Sequence, residues 1–351
     1  MKVAFRADAS EFIGAGHVMR CLTLGEELKA RGAMVTFITH SLPEHLREQI
    51  LRSGHTLVDL SSSDSRKNKN DSLNDASQTH AALRDRSCDV LIVDHYGIDF
   101  NWEKNLKSTV RNLVVIDDFA DRRHDADMLI DPTYGETGGR YRSLVPQRCQ
   151  IRCGSQYALL RPQFRERRLQ LSNLVQRTPP KTVHVFFGGS DPANYTAKIC
   201  RMLLSELEAL RIYAAAGRGY AYEADLKRLA TDFPRRFFWE IGVDDMAAHM
   251  SACDVALGAP GGATWERACL GLPSLYFAVS QNQVSKLKYL ETAGFCLYGG
   301  EARSLEKMEF LSAIGRFLSD PSRLVQMREV GMKAVDGLGA SRVADLFNLL
   351  F

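Results

Sequence analysis

Apolar positions along the chain follow two periods in alternation. Short aliphatic runs at 3–5, 34–38, 57–58, 90–93, 113–116 and 128–130 are separated by stretches at 17–31, 44–52 and 75–84 whose apolar residues recur every three or four positions. The first period reads as strand and the second as helix. Val90-Leu91-Ile92-Val93 and Leu113-Val114-Val115-Ile116 lack polar alternation, the pattern of strands covered on both faces. Gly32 and Gly54 follow the first two helical stretches as stop signals. Residues 61–72 are rich in serine, lysine and asparagine, have no period, and read as a surface loop. Residues 131–156 carry Pro132, Gly135, Gly138, Gly139 and Pro146 and read as irregular. A helix at 163–175 followed by Arg177-Thr178-Pro179-Pro180 reads as a crossing between domains.

The alternation then resumes. Strands are expected at 183–187, 211–215, 237–240, 255–257, 274–277 and 295–298. Helices are expected at 195–207, 224–231, 246–251, 264–270 and 284–292, and from 305 onward. The fold class is α/β, with two doubly wound Rossmann-like domains facing across a cleft. The expected boundaries are 1–162 for the first domain, 163–181 for a linker and 182–335 for the second domain. Residues 336–351, with a helix at 342–350, could pack back on the first domain.

Bulk properties narrow the function classes. The 351 residues are 45% hydrophobic and 25% charged, enough for two separate cores. A formal net charge of +3 with no basic–aromatic interleaving argues against nucleic acid and suits a small anion. The arginines Arg161, Arg165, Arg167 and Arg168 read as a solvated helix face. No apolar run is long enough to span a bilayer, no signal peptide is evident, and the eight scattered cysteines suit a reducing compartment. A cytoplasmic monomer is expected. Cys149 and Cys153 lack the further ligands of a zinc set, so neither a metal nor a cofactor is expected.

Candidate chemistry gathers where strands end. Ile13-Gly14-Ala15-Gly16-His17 links the first strand to a helix, and its glycines permit a tight turn. His17 falls in the first helical turn, where the helix dipole disfavours a second positive charge. A neutral imidazole there could act as a general base, or serve only as a structural hydrogen-bonder. Arg6, Asp8 and Arg20 border this turn; Arg6 or Asp8 could orient His17 or bind substrate, and Arg20, with Gly14 and Gly16, is a candidate substrate contact. Asp94 and Tyr96 follow the 90–93 strand and could touch a sugar, while Asp117 or Asp118 could instead cap a turn.

In the second half, Gly188-Gly189-Ser190 could cradle an anion at a helix start or be a plain turn. Gly261, Gly262, Ala263, Thr264 and Glu266 combine close backbone approach, a hydroxyl that Thr264 can donate while also capping the helix, and a carboxylate able to grip a ribose. Glu266 could equally be an acid placed for the helix dipole. Gln281 and Asn282 could reach the same pocket, or Asn282 could cap the next helix. Ile241, at the end of the 237–240 strand, completes the candidate set.

Seven segments in order resemble the UDP-2,4-diacetamido-2,4,6-trideoxy-β-L-altropyranose hydrolases of pseudaminic acid biosynthesis. They are residues 6–10, 13–22, 93–96, 116–118, 157–162, 186–191 and 261–266. That family in turn resembles the GT-B glycosyltransferases, including the one that adds N-acetylglucosamine to lipid-linked muramyl peptide. The resemblance implies a GT-B-like fold, with UDP held by the second domain at Gly261, Gly262, Thr264 and Glu266. It also implies an inverting C–O cleavage at the anomeric carbon with His17 as the base, releasing UDP. Two other functions stay open on the residues alone: a glycosyltransferase with a UDP-sugar donor, and a non-catalytic nucleotide-sugar sensor.

Overall fold

The computed structural model describes residues 1–10, 13–61, 72–84, 87–171 and 175–347. Residues 62–71 of the expected loop, 172–174 of the helix expected at 163–175, and 348–350 of the expected terminal helix lie outside the described residues. The chain divides into two compact units, Met1–Leu159 with Leu338–Phe351, and Leu160–Gly337.

The first unit is built on seven parallel strands: β1 (Lys2–Ala7), β2 (Met34–Thr39), β3 (Thr56–Asp59), β4 (Cys88–Asp94), β5 (Val110–Ile116), β6 (Met128–Asp131) and β7 (Gln150–Cys153). Their order is β3-β2-β1-β4-β5-β6-β7. The aliphatic runs follow from two-sided burial. Val90 and Ile92 join Val3 and Phe5 in one core, while Leu91 and Val93 join Ala4 and Trp102 in the other. Helix Gly16–Ala30 buries Val18, Leu22, Leu24 and Leu28. The chain's last helix, Gly339–Phe347, adds Val343, Ala344 and Phe347 to the same core. Arg31 ties it down through Asp345 at 2.5 Å.

Two elements of this unit depart from the sequence reading. β7 lies inside the stretch read as irregular. It is a four-residue edge strand whose Gln150 and Arg152 are half-buried, so no aliphatic run marks it. Helix Phe100–Leu106 was not anticipated. Asp99 caps it by accepting from the Asn101 and Trp102 N–H groups at 3.1 and 3.3 Å.

The second unit has six parallel strands: β8 (Thr182–Phe186), β9 (Arg211–Ala216), β10 (Phe237–Ile241), β11 (Val255–Gly258), β12 (Ser274–Ala278) and β13 (Leu297–Glu301). Their order is β10-β9-β8-β11-β12-β13. β13 starts two residues later than expected, although Phe295 and Cys296 are buried. Helix Pro162–Leu171, in the stretch read as a linker, is packed in this unit. Phe164 is buried and Arg168 donates to the Cys269 carbonyl at 3.0 Å. Among the described residues no helix is long and apolar enough to cross a membrane.

Both sheets reverse their winding at one place, between β1 and β4 and between β8 and β11. Loops leaving the carboxyl ends of such strand pairs diverge and leave room for a ligand.

Candidate active site

In the first unit, the chain leaves β1 through a turn closed by Gly14 N–H donating to Ser10 O at 2.8 Å, with Gly14 at φ +78°. Helix Gly16–Ala30 then starts, and His17 is its second residue. Across the β1–β4 ladder, where Ala7 pairs with Asp94, the Asp94 carboxylate meets His17 Nδ1 at 2.6 Å. Arg20, one turn further along the helix, grips both carboxylate oxygens, with Nε at 2.5 Å and Nη2 at 2.6 Å. Asp94 is fully buried. Burial opposes its ionisation, but the charges and hydrogen bonds of Arg20 and His17 outweigh it and hold the carboxyl well below its usual range. An ionised carboxylate only accepts. Nδ1 therefore carries a hydrogen, which makes Nε2 the ring nitrogen able to exchange a proton. Tyr96 sets its ring edge-on to the imidazole at 4.5 Å and donates its hydroxyl to Asp118 at 3.1 Å.

This geometry decides several expectations, some against and some for. Asp94, expected to touch a sugar, has both oxygens taken by His17 and Arg20 and is out of contact with solvent. Neither Arg6 nor Asp8 orients His17. Asp8 pairs with Arg6 at 2.8 Å, accepts the His40 and Ser41 N–H groups at 2.7 and 3.2 Å, and meets His95 Nε2 at 3.3 Å. The far side of Arg6 is held by Asp75, which also accepts from Trp102 Nε1 at 2.8 Å. Asp117 caps its own turn by accepting the Phe119 and Ala120 N–H groups at 3.3 and 2.8 Å. Among the described residues no group of three or more His, Cys, Asp or Glu is placed to hold a metal ion.

In the second unit, the remaining candidates line one edge of the sheet, at the carboxyl ends of β10, β8, β11 and β12. Gly188 turns at φ +109°, and Gly189 packs so closely on Gly217 that a Cβ there would lie 2.4 Å from the Gly189 oxygen. The helix after this turn, Tyr195–Glu206, does not offer a vacant N-terminus. Asp191 takes its Tyr195 and Thr196 N–H groups at 2.9 and 2.7 Å. Any anion cradle here is thus confined to the backbone of Gly188, Gly189 and Ser190.

The β11 loop differs. Gly261 is the cap of helix Gly262–Leu270 and sits at φ +144°, a conformation suited to glycine. Thr264 is not the cap. It is buried at the third helical position, with its Oγ accepting the Gly261 N–H at 3.2 Å. The Gly262 and Ala263 amides have no acceptor within their own helix and point from its positive end. Both glycines are exposed, with open space where a Cβ would stand. Glu266 lies 3.4 Å from Arg161 Nη2; burial pushes its carboxyl up and Arg161 draws it back.

Gln281 and Asn282 are exposed. No side chain caps helix Asn282–Thr292, and Asn282 Oδ1 instead accepts from Ser280 at 2.5 Å. Ile241, half-buried, ends β10 beside Gly242, which turns at φ +71°.

No family model matches the chain. A protein of Methanocaldococcus jannaschii described as uncharacterised is 26% identical over 294 residues, 82% of this chain but only 57% of its own length. The UDP-2,4-diacetamido-2,4,6-trideoxy-beta-L-altropyranose hydrolase of Campylobacter jejuni is 28% identical over 224 residues, 62% of this chain and 69% of its own. The spore coat polysaccharide biosynthesis protein SpsG of Bacillus subtilis is 24% identical over 360 residues, covering 100% and 99%. The resemblance carried by the motifs holds.

Among solved structures, MurG of Acinetobacter baumannii aligns with TM-score 0.69 at 14% identity, covering 99% of each chain. A UDP-GlcNAc 2-epimerase from Neisseria meningitidis bound to UDP-GlcNAc aligns with TM-score 0.65 at 10% identity, covering 99% of this chain and 100% of its own. The fold is therefore GT-B-like, with two Rossmann-like units.

Proposed function

We propose that the protein is an inverting nucleotide-sugar hydrolase that releases UDP from UDP-2,4-diacetamido-2,4,6-trideoxy-β-L-altropyranose. The observation that carries this reading is the buried His17–Asp94 pair at the winding reversal of the first sheet. In the proposed reaction, water attacks the anomeric carbon while His17 Nε2 takes its proton. The anomeric C–O bond breaks, and its electron pair leaves with the β-phosphate oxygen of UDP. General-base help of this kind supplies roughly 10²–10⁴-fold. Asp94 fixes the imidazole's tautomer and balances the charge it acquires.

The second unit's contribution is to hold the nucleotide. The Gly262 and Ala263 amides, with the backbone of 188–190, receive the diphosphate. Glu266 accepts from the ribose hydroxyls, and Gln281, Asn282 and Ile241 border the same edge. Because donors at a helix N-terminus stabilise UDP as it leaves, the scheme needs neither a cofactor nor a protonated side chain on the leaving oxygen.

Incubating the protein with the UDP-sugar and following anomers by NMR tests the reading. Release of UDP with an inverted free sugar supports it; retained configuration, or no release, removes it. Adding soluble sugar acceptors to the same assay separates hydrolysis from transfer.

A further inference from the structure

A buried positive charge lies at the base of the two glycine loops of the second unit. Arg267 has 0% exposure. Its Nη2 donates to the carbonyls of Phe186 at 3.1 Å and Leu257 at 3.4 Å, at the carboxyl tips of β8 and β11. The guanidinium rests over the Tyr276 ring at 5.3 Å. Gly258 makes room for it: a Cβ there would stand 2.6 Å from Nη2. Nε and Nη1 are buried without a hydrogen-bond partner among the described residues.

The surroundings do not cancel the charge. Glu266, the preceding residue, turns to Arg161, so one carboxylate stands against two guanidinium groups. His184 is buried, and His249 stands 5.2 Å from its ring. Burial holds both imidazoles below their ordinary range, with Arg267 adding to the effect at His184, so they remain neutral at pH 7. A buried cation without a carboxylate paired to it is costly, and an apolar residue of similar volume is often neutral or stabilising in its place. Its position gives the reason for its presence. Gly188 is two residues beyond Phe186, so the loop backbone lies within about 7 Å of the carbonyl that Arg267 holds. The dipole of helix Gly262–Leu270 adds positive potential on the same side.

We propose that Arg267 is a fixed buried cation that draws the diphosphate of the nucleotide onto the 188–190 and 261–263 loops without touching it. The inference rests on the nucleotide-binding reading given above. A unit charge about 8 Å away at an effective dielectric constant near 20 changes affinity by roughly tenfold or more. Uridine, which has no phosphate, is insensitive to it.

Calorimetric titration of the full chain with UDP and with uridine, at low and high salt, tests this in the wild type, Arg267→Met and Arg267→Lys. The expected result is a UDP-to-uridine affinity ratio about tenfold lower in Arg267→Met, with a shallower salt dependence for UDP, while its melting temperature is unchanged or higher. Arg267→Lys, which keeps the charge, holds the ratio near the wild-type value. An unchanged ratio in a folded Arg267→Met overturns the inference. Should that variant not fold, a tenfold lower ratio in Arg267→Lys overturns it and a preserved ratio supports it. A wild type that binds neither UDP nor uridine removes the nucleotide-binding reading itself.

Discussion

At the residue scale, the decisive contact joins two side chains 77 positions apart. The glycine turn and its histidine are legible in the sequence because their chemistry is local. The partner is not: Asp94 reaches His17 only because β1 and β4 lie side by side in register. Arg6 and Asp8 are nearer in sequence, but they pair with each other and so leave the imidazole to Asp94. In Asp94→Asn the amide can present either donor or acceptor, and the tautomer with a free Nε2 lone pair loses its enforcement. Turnover of the UDP-sugar is expected to fall by about 10²–10⁴-fold, with UDP affinity unchanged by titration. His17→Asn is expected to match it, and the double variant to add little, since the two act as one unit.

The same carboxylate sets a pH dependence. Asp94 and Asp8 both titrate well below the usual carboxylate range, because their cationic partners and hydrogen bonds outweigh burial. A depressed carboxyl binds more protons unfolded than folded. The stability it adds is complete above the unfolded value near 3.9 and is lost as pH falls from there through the folded value. Thermal melts of the first unit should therefore hold level from about pH 8 to 5 as far as these groups govern it, and drop below about pH 4. In Asp94→Asn that drop should be smaller.

At the element scale, long buried strands and amphipathic helices are legible, while short elements with polar faces are not. β7 has half-buried polar residues at alternate positions, and helix Phe100–Leu106 is seven residues long. The glycines divide in the same manner. Gly258 and Gly262 look alike in sequence, yet their surroundings are opposite. A Cβ on Gly258 would stand 1.9 Å from the Phe186 oxygen, in the ladder between β8 and β11. Gly258→Ala should cost about 3 kcal/mol or more in denaturant unfolding, because the backbone has to move. A Cβ on Gly262 meets nothing within 4 Å. Gly262→Ala should melt at or slightly above the wild type, since alanine favours a helix by up to about 1 kcal/mol. Its methyl group would stand in the proposed diphosphate cradle, so UDP affinity should fall. Equal affinity would place the phosphates elsewhere.

At the scale of the whole molecule, each unit encloses its own sheet between its own helices, and the chain's end belongs to the first. Phe347 is 1% exposed, 310 to 344 positions from the β1 and β2 residues Val3 and Phe37 in the same core. The sequence allows that return through an amphipathic terminal stretch but does not mark the partner surface, the helix Gly16–Ala30 near the other terminus. Truncating a buried phenylalanine to alanine costs about 3–5 kcal/mol through lost burial and the cavity left behind. If stability is held unit by unit, Phe347→Ala should speed amide exchange along β1, β2 and β4 by more than a hundredfold and leave β8, β9 and β11 near wild-type rates. Equal acceleration in both sheets would mean that the two cores unfold as one. The catalytic test then gains a control: His17 sits in the weakened unit, whereas the glycine loops at 188–190 and 261–263 do not. Phe347→Ala should therefore lose UDP-sugar turnover on warming before it loses UDP binding. Simultaneous loss would argue that the nucleotide depends on the first unit as well.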